Sequence, residues 1–192
     1  MRKKDPSLKE LLAGCVRKDF RSEELLYKTF YGYVAGVALR YIKDRDVVSE
    51  LVNDVFLRVF RKIVDFTFSG PPEELPRAFK GWIGRITANA AIDRLRLKQT
   101  SLYMASTEDE NLPEIVVESP DRLAHQEIME LLDRLPPVQQ LIFNLHEIEG
   151  FSHEEIAVRL NIPSATSRVY LTRARTRLIA LYQKIMGDCY ER

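Results

Sequence analysis

The sequence predicts an all-α protein made of two small helical domains joined by a flexible linker, with a helix-turn-helix in the second domain. Apolar residues recur at helical spacing over most of its 192 residues. One strand-like run, 114–118, is too isolated to support a sheet. A polar, acidic stretch that contains two prolines separates the periodic regions. We therefore place the domains at 1–100 and 122–192 and the linker at 101–121.

Four helices are expected in the first domain. Ser7 and Glu10 have the spacing of a capping box, which marks the start of the first helix. Cys15 falls on the apolar side of that helix and is interpreted as a buried structural cysteine. Apolar periodicity predicts the other three helices at about 22–42, 46–63 and 77–98. Asp46 is the expected N-cap of the third helix, and the proline- and glycine-rich residues 65–76 precede the fourth.

Four helical segments are expected in the second domain, and the last two have the pattern of a helix-turn-helix. Ser152 and Glu155 form another capping box, and Gly150 before them suits a left-handed helix stop. The turn 161–163 leads into a long helix from Ser164, which begins with short side chains. Short side chains let a helix end approach base edges, and the arginines that follow suit guanine edges or phosphate. The expected inward stripe of this helix is Val169, Leu171, Ala174, Leu178 and Leu181.

The distribution of charge favours a nucleic-acid-binding protein. The net charge is only +1, but 161–187 contain no acidic residue, and 77–98 contain six basic residues against one acidic residue. Such patches attract phosphate. Aromatic residues interleave with the second patch, which suits single-stranded nucleic acid. Trp82 fits a core position better than a stacking platform, whereas Phe66 and Phe68 could either capture an unstacked base or anchor their loop.

Composition argues against several other classes of function. Two cysteines and three scattered histidines predict neither a disulfide framework nor a metal site. His125, His146 and His153 fall on separate helical segments, and His153 is expected to be exposed and without a role. The sequence has no phosphate-cradling glycine loop, so we expect no catalytic residues, no enzyme and no cofactor. It has no apolar run of about 18 residues and no secretory signal, which predicts a cytoplasmic protein without membrane insertion.

Three stretches of the sequence carry a resemblance to a known family. They are 46–60 (DVVSELVNDVFLRVF), 79–96 (FKGWIGRITANAAIDRLR) and a discontinuous third stretch of 135–140, 149–157 and 161–175. In this order, with the linker between the second and the third, they resemble the region-two helix, the promoter-opening segment and region four of bacterial sigma factors. The resemblance is to the extracytoplasmic-function (ECF) group of the sigma-70 family.

This resemblance implies a sigma factor that binds core RNA polymerase and directs promoter recognition, melting and transcription initiation on promoter DNA. It also implies an anti-sigma factor as a partner and a monomeric free state. The polymerase-binding residues would be Asp46, Leu51, Asn53, Asp54, Leu57 and Arg58. The residues at the minus-ten element would be Phe66, Phe68, Trp82, Asn89, Asp93, Arg94 and Arg96. The residues at the minus-thirty-five element would be Ser164, Thr166, Ser167, Arg168, Tyr170, Arg173 and Arg175.

Some positions depart from the family's usual residues. Ser167 stands where Val is usual and Tyr170 where Arg is usual, so the minus-thirty-five sequence that this chain recognises is left open. Asn53 and Asp54 replace a common Gln-Glu pair. The main alternative function is a stand-alone helix-turn-helix regulator, which would be a dimer on a palindromic site.

Overall fold

The computed structural model describes residues 6–98 and 129–190, and the chain divides into two compact units between Lys98 and Gln99. The described parts of both units are built of helices, without a strand, so the all-α prediction is confirmed. The predicted linker and His125 lie outside the described residues. None of the described helices is both long enough and apolar enough to cross a membrane.

Residues 6–98 of the first unit form four α-helices. They are α1 (Leu8–Val16), α2 (Phe20–Leu39), α3 (Arg45–Lys62) and α4 (Leu75–Lys98), with 3₁₀ turns at Ile63–Asp65 and Pro72–Glu74. The capping box of Ser7 and Glu10 is confirmed. The N-cap of α3 is Asp44 rather than Asp46, because the Asp44 carboxylate accepts from the N–H groups of Asp46 and Val47 at 3.0 and 3.2 Å. Asp46 lies inside the first turn of α3, whereas an N-cap residue stands before the helix and accepts from the N–H groups of that turn.

The core of the first unit lies between α1, α2, α3 and α4. Phe79 of α4 packs edge-on against Phe30 of α2, with ring centroids 4.9 Å apart. Cys15 is buried in the same core, as predicted. Burial, together with the charges of Glu23 and Asp19, raises the pKa of the Cys15 thiol to about 11, so it stays protonated at neutral pH. The inward face of α3 consists of Val48, Leu51, Val52, Val55, Phe56 and Val59.

Residues 129–190 of the second unit form short helices followed by a long one. These are a helical segment at 129–133 (α5), then α6 (Pro137–Phe143), α7 (His153–Leu160) and α8 (Ser164–Tyr190). The capping box of Ser152 and Glu155 is confirmed at the start of α7. Gly150 (φ 70°) precedes α7 and Asn161 (φ 53°) follows it, both in the left-handed conformation. Glycine adopts that conformation without steric cost, and asparagine is one of the few other residues that does so readily.

The residues that follow α6 do not continue it as an α-helix. Asn144–Ile148 form a π-helical turn, in which the Glu149 N–H donates to the Asn144 carbonyl at 3.0 Å, five residues back. The extra residue in each hydrogen-bonded ring changes the direction of the side chains that follow. The His146 ring thereby stacks on that of His153 in α7, and Glu147 forms an ion pair with Arg175 of α8.

The inward face of α8 differs from the predicted stripe at one position. Ser167, Leu171 and Ala174 are buried, whereas Val169 is 48% exposed. Ser167 lies one turn before Leu171 and therefore shares its face, while Val169 lies two residues from Leu171 on another face. Hydrophobicity suggested the valine for the core, but helical spacing places the serine there.

Candidate nucleic-acid interface

The connection between α7 and α8 has helix-turn-helix geometry. The two helices are joined by only three residues, 161–163. The Ile162 N–H donates to the Ala157 carbonyl at 3.1 Å, and this hydrogen bond ties the turn to the end of α7. Ile162 is half-buried, so it helps to fix the turn between the helices. The exposed or half-buried side chains of the predicted DNA-contacting set on α8 are Ser164, Thr166, Arg168, Tyr170, Arg173 and Arg175.

Two arginines of α8 are paired with acidic side chains of the same unit. Arg168 Nη2 lies 2.6 Å from Glu154 Oε1 on α7, and Arg175 pairs with Glu147 on the π turn. A hydrogen bond to its own backbone N–H and the Arg168 charge lower the pKa of Glu154. Arg173 is exposed and makes no ion pair with any residue in 6–98 or 129–190. Solvent-exposed ion pairs contribute little to stability, so a DNA phosphate can replace either carboxylate.

Ser167 does not reach the surface of α8. Its side chain is 0% exposed, and its hydroxyl is hydrogen-bonded to His153 Nδ1 at 2.9 Å. The prediction that Ser167 contacts DNA is therefore wrong, because it lies on the face that packs against α7. His153 is half-buried and stacks on His146, with ring centroids 4.4 Å apart and planes inclined by 14°. The expectation that His153 is exposed and without a role is also wrong.

The aromatic residues near α4 form a cluster at the edge of the first unit's core. The Trp82 ring lies 5.3 Å from that of Phe66 and 5.7 Å from that of Phe79. Phe66 and Phe79 also meet edge-on, with centroids 5.3 Å apart. The Phe68 ring covers Gly70 so closely that a Cβ atom there would lie 2.6 Å from it. These contacts favour a core role for Trp82 and loop anchoring for the two other predicted minus-ten aromatics.

Ion pairs connect α4 with α3. Asp93 Oδ2 lies 3.2 Å from Arg58 Nη1. Arg94 pairs with Glu50, and its Nη1 lies 3.9 Å from Asp54 Oδ2. The family resemblance implied polymerase binding for Asp54 and Arg58 and DNA binding for Asp93 and Arg94. The two predicted surfaces are therefore joined through their side chains, and a substitution in one also alters the other.

Among the predicted polymerase contacts on α3, Leu51 is buried in the core. Its side chain is 2% exposed and belongs to the core face of α3, so its predicted contact with polymerase is wrong. Leu57 is 59% exposed. Asn53 is exposed and accepts a hydrogen bond from the Tyr27 hydroxyl at 2.9 Å. The other members of the two sets are exposed or half-buried: Asp46, Asn53, Asp54, Leu57 and Arg58 on α3, Asn89, Asp93, Arg94 and Arg96 on α4, and the half-buried aromatic residues Phe66, Phe68 and Trp82.

Comparison with known proteins identifies both units. Residues 26–100 match the family model of sigma-70 region 2, and residues 125–178 match that of sigma-70, region 4. The ECF RNA polymerase sigma factor SigE of Mycolicibacterium smegmatis is 29% identical over 150 residues, which cover 76% of this chain and 55% of that protein. The ECF RNA polymerase sigma factor SigM of Bacillus subtilis is 27% identical over 168 residues, covering 85% of this chain and 96% of that protein.

This chain belongs to the ECF sigma factors of the sigma-70 family. It is a DNA-binding protein that directs transcription initiation. The solved structure of the sigma factor RpoE from Bartonella quintana, in complex with the anti-sigma factor NepR, has the same fold. Its TM-score is 0.51 at 22% identity, and the match covers 86% of this chain and 98% of that one.

Sequence reasoning missed several side chains of this sigma factor that hold the predicted contact residues in place. Glu50, Glu147 and Glu154 pair with arginines that lie far away in the sequence, and no short-range spacing signals such pairs. The contact of His153 with Ser167 did have a signal. Ser167 lies one turn before the apolar Leu171 and so shares its face, and a buried serine needs a hydrogen-bonding partner.

Proposed function

We propose that this sigma factor binds core RNA polymerase through α3, the minus-ten element through α4 and the minus-thirty-five element through α8. The observation that carries this proposal is the occurrence of regions 2 and 4 in family order on one chain, with exposed arginines on α8. The relatives named above are RNA polymerase sigma factors, which supports the polymerase as partner. The protein acts in the cytoplasm, has no enzymatic activity and is a monomer when free. We also propose an anti-sigma factor as its protein partner, by analogy with RpoE bound to NepR.

At the minus-thirty-five element, α8 enters the major groove of paired DNA. Arg173 is exposed without an acidic partner among the described residues, so it is the side chain best placed for a base edge or a phosphate. Arg168 and Arg175 exchange their carboxylate partners for phosphates when the helix docks. Ser164, Thr166 and Tyr170 lie on the accessible part of the same helix and complete this surface.

At the minus-ten element, the polar residues of α4 replace the aromatic residues as the main contacts. Trp82 and Phe66 pack against the core, so stacking on an unpaired base falls to neither ring. Arg94 and Arg96 follow the backbone of the separated strand, and Asn89 offers an amide for a base edge. The loop 67–71 holds an extruded base through its polar groups. The Phe68 ring packs on Gly70 of the same loop and stabilises its conformation.

Binding through polymerase makes two weak contacts act together. Each unit raises the effective concentration of the other for its own promoter element, provided that both are fixed to the same enzyme. One unit recognises paired strands, and the other stabilises unpaired bases, which repays part of the cost of melting. The chain therefore needs no chemical step of its own.

The polymerase surface is tested with Leu57→Ala. This side chain is exposed and lies outside the ion pairs between α3 and α4, so its truncation leaves that network intact. Loss of its buried apolar carbons at an interface costs about 1–2 kcal/mol, which weakens co-purification with core enzyme about 5- to 30-fold. Val64→Ala, at another exposed apolar position of the first unit, is the control. Equal co-purification of both variants would exclude Leu57 from the polymerase contact.

The DNA surface is tested with Arg173→Ala in holoenzyme on promoter fragments that wild-type holoenzyme selects. Loss of a base contact costs about 1–3 kcal/mol, so retention of these fragments falls about 5- to 150-fold. Arg177→Ala removes an exposed arginine from the same helix outside the proposed surface and serves as the control. If both variants retain the fragments as the wild type does, α8 does not recognise the upstream element through Arg173.

A further inference from the structure

We propose that His153 positions the DNA-recognition helix α8 through its hydrogen bond to Ser167, and that it does so only while its imidazole, stacked on His146, is uncharged. This inference rests on the proposed role of α8 at the minus-thirty-five element. It adds a positioning contact and a pH-dependence to that role.

The first argument is the burial of Ser167. This residue occupies the inward face of α8, one turn from the start of the helix and beside the residues assigned to DNA. A buried hydroxyl that loses its partner destabilises its surroundings, so its hydrogen bond to His153 Nδ1 constrains how α8 sits on α7. A small tilt of α8 at this point moves Arg168 and Arg173, because both follow Ser167 within two turns.

The second argument is the way in which the two imidazoles are held. The Phe151 carbonyl lies 2.8 Å from His146 Nδ1 and can only accept, so that nitrogen carries the proton of the neutral ring. Nδ1 of neutral His153 can accept a hydrogen bond from the Ser167 hydroxyl. In protonated His153 that atom can only donate, so the hydrogen bond is reversed. The Ser167 hydroxyl proton then needs another acceptor.

The third argument is the charge environment of His153. The ring is half-buried and stacked on His146, and the charges of Arg168 and Arg175 of α8 act on it. Burial first, then His146 and Arg168, lower the pKa of His153, while Glu154 acts in the opposite direction. The charged groups on the elements around it are His146 and Glu147 of the π turn, Glu154 of α7, and Arg168 and Arg175 of α8.

Protonation of His153 therefore disturbs the helix-turn-helix at two points at once. It reverses the hydrogen bond between His153 and Ser167, and it places a further cation in the region that Arg168 and Arg175 of α8 already make positive. Both effects loosen the contact between α7 and α8. Acidification is thus expected to weaken recognition of the upstream element before the unit unfolds.

The test compares wild-type, His153→Asn and Ser167→Ala holoenzymes. Asparagine places a polar atom near the position of Nδ1 and cannot become charged. Retention of promoter fragments selected by wild-type holoenzyme is measured between about pH 7.5 and pH 5.5, across the range where histidine titrates, with each variant scaled to its own value at the upper pH. Wild-type retention is expected to fall several-fold more steeply than that of His153→Asn. Ser167→Ala should lose about 2- to 12-fold at the upper pH, the effect of one hydrogen bond.

Parallel pH profiles of the wild type and His153→Asn would overturn the inference. Arg173→Ala, measured on the same fragments, separates this failure from failure of the proposed function. If Arg173→Ala loses retention while the pH profiles stay parallel, only the pH-dependent positioning is wrong. If Arg173→Ala retains the fragments fully, the DNA role of α8 is wrong.

A second measurement on the free full-length chain does not depend on promoter DNA. Ring-proton NMR signals of the histidines are followed against pH in the wild type and in His146→Asn, which keeps a donor for the Phe151 carbonyl. The His153 titration midpoint is expected to lie below about 6.5, the ordinary histidine value, and to rise in His146→Asn. A His153 midpoint at the ordinary histidine value that is the same in His146→Asn would refute the influence of His146 on His153. This result can be obtained even if His153→Asn fails to fold.

Discussion

Replacing Phe66 by alanine tests whether this ring anchors its loop or captures a DNA base. Phe66 is half-buried and meets the rings of Phe79 and Trp82, both at centroid distances of 5.3 Å. Removing a fully buried phenylalanine costs about 3–5 kcal/mol. Half-burial scales this down, and two aromatic contacts contribute about 0.5–1.5 kcal/mol each. We therefore expect the free energy of unfolding of the first unit to fall by about 2.5–5.5 kcal/mol.

Urea unfolding monitored by tryptophan emission measures this change directly. Trp82 is the single tryptophan of the chain and lies in the first unit, so its signal reports that unit. Phe20→Ala is the matched control, because Phe20 is 78% exposed in the same unit and its loss should cost less than about 0.5 kcal/mol. A stability equal to wild type, combined with loss of promoter opening, would show that Phe66 works as a base-capturing ring and would refute the loop-anchoring argument.

Two further predictions concern the stability of the two units. Burial lowers the pKa of His153, so the unfolded second unit binds that proton more tightly. Its stability should be complete above about pH 6.5, the unfolded value, and should decrease as the pH falls through the folded value. Hydrogen exchange of the α7 amides measures this, and a profile that is flat below neutrality contradicts it. Gly14→Ala places a Cβ atom 2.0 Å from Ser22 Oγ and should destabilise the contact of α1 with α2 by about 1–3 kcal/mol in urea unfolding. At Gly32 a Cβ atom meets open space, so Gly32→Ala should stabilise α2 by about 0.5–1 kcal/mol. Equal changes in the free energy of unfolding for both variants would contradict a clash between the new Cβ at position 14 and Ser22.

Local signals in the sequence were sufficient to predict most of the helices and their ends. The capping boxes at Ser7 and Ser152 require only a hydroxyl and a carboxylate three residues apart, so they are readable without tertiary information. The N-cap of α3 was misplaced because Asp44 and Asp46 are both acceptable caps by type. The hydrogen bonds of the backbone decided between them.

The errors at the candidate site share a physical cause. Whether Leu51 or Ser167 faces the core depends on which side of each helix meets its neighbours. The apolar pattern of α3 already indicated the core for Leu51 and only the family resemblance assigned it to polymerase, whereas the polar side chain of Ser167 wrongly suggested an exposed position. The π turn at Asn144–Ile148 has no local sequence signature in this chain, yet it directs His146 and Glu147 toward α7 and α8. Positions of exposed arginines were predictable from the pattern, whereas their carboxylate partners depended on the packing of distant segments.

The central claim is that this chain directs core RNA polymerase to promoters. The most direct measurement maps the 5′ ends of transcripts that core enzyme makes on genomic DNA with and without the full chain. The account predicts a set of start sites that appears only with the chain, preceded by a shared pair of upstream elements, and that weakens with Arg173→Ala but not with Arg177→Ala. Identical start sites with and without the chain would contradict it.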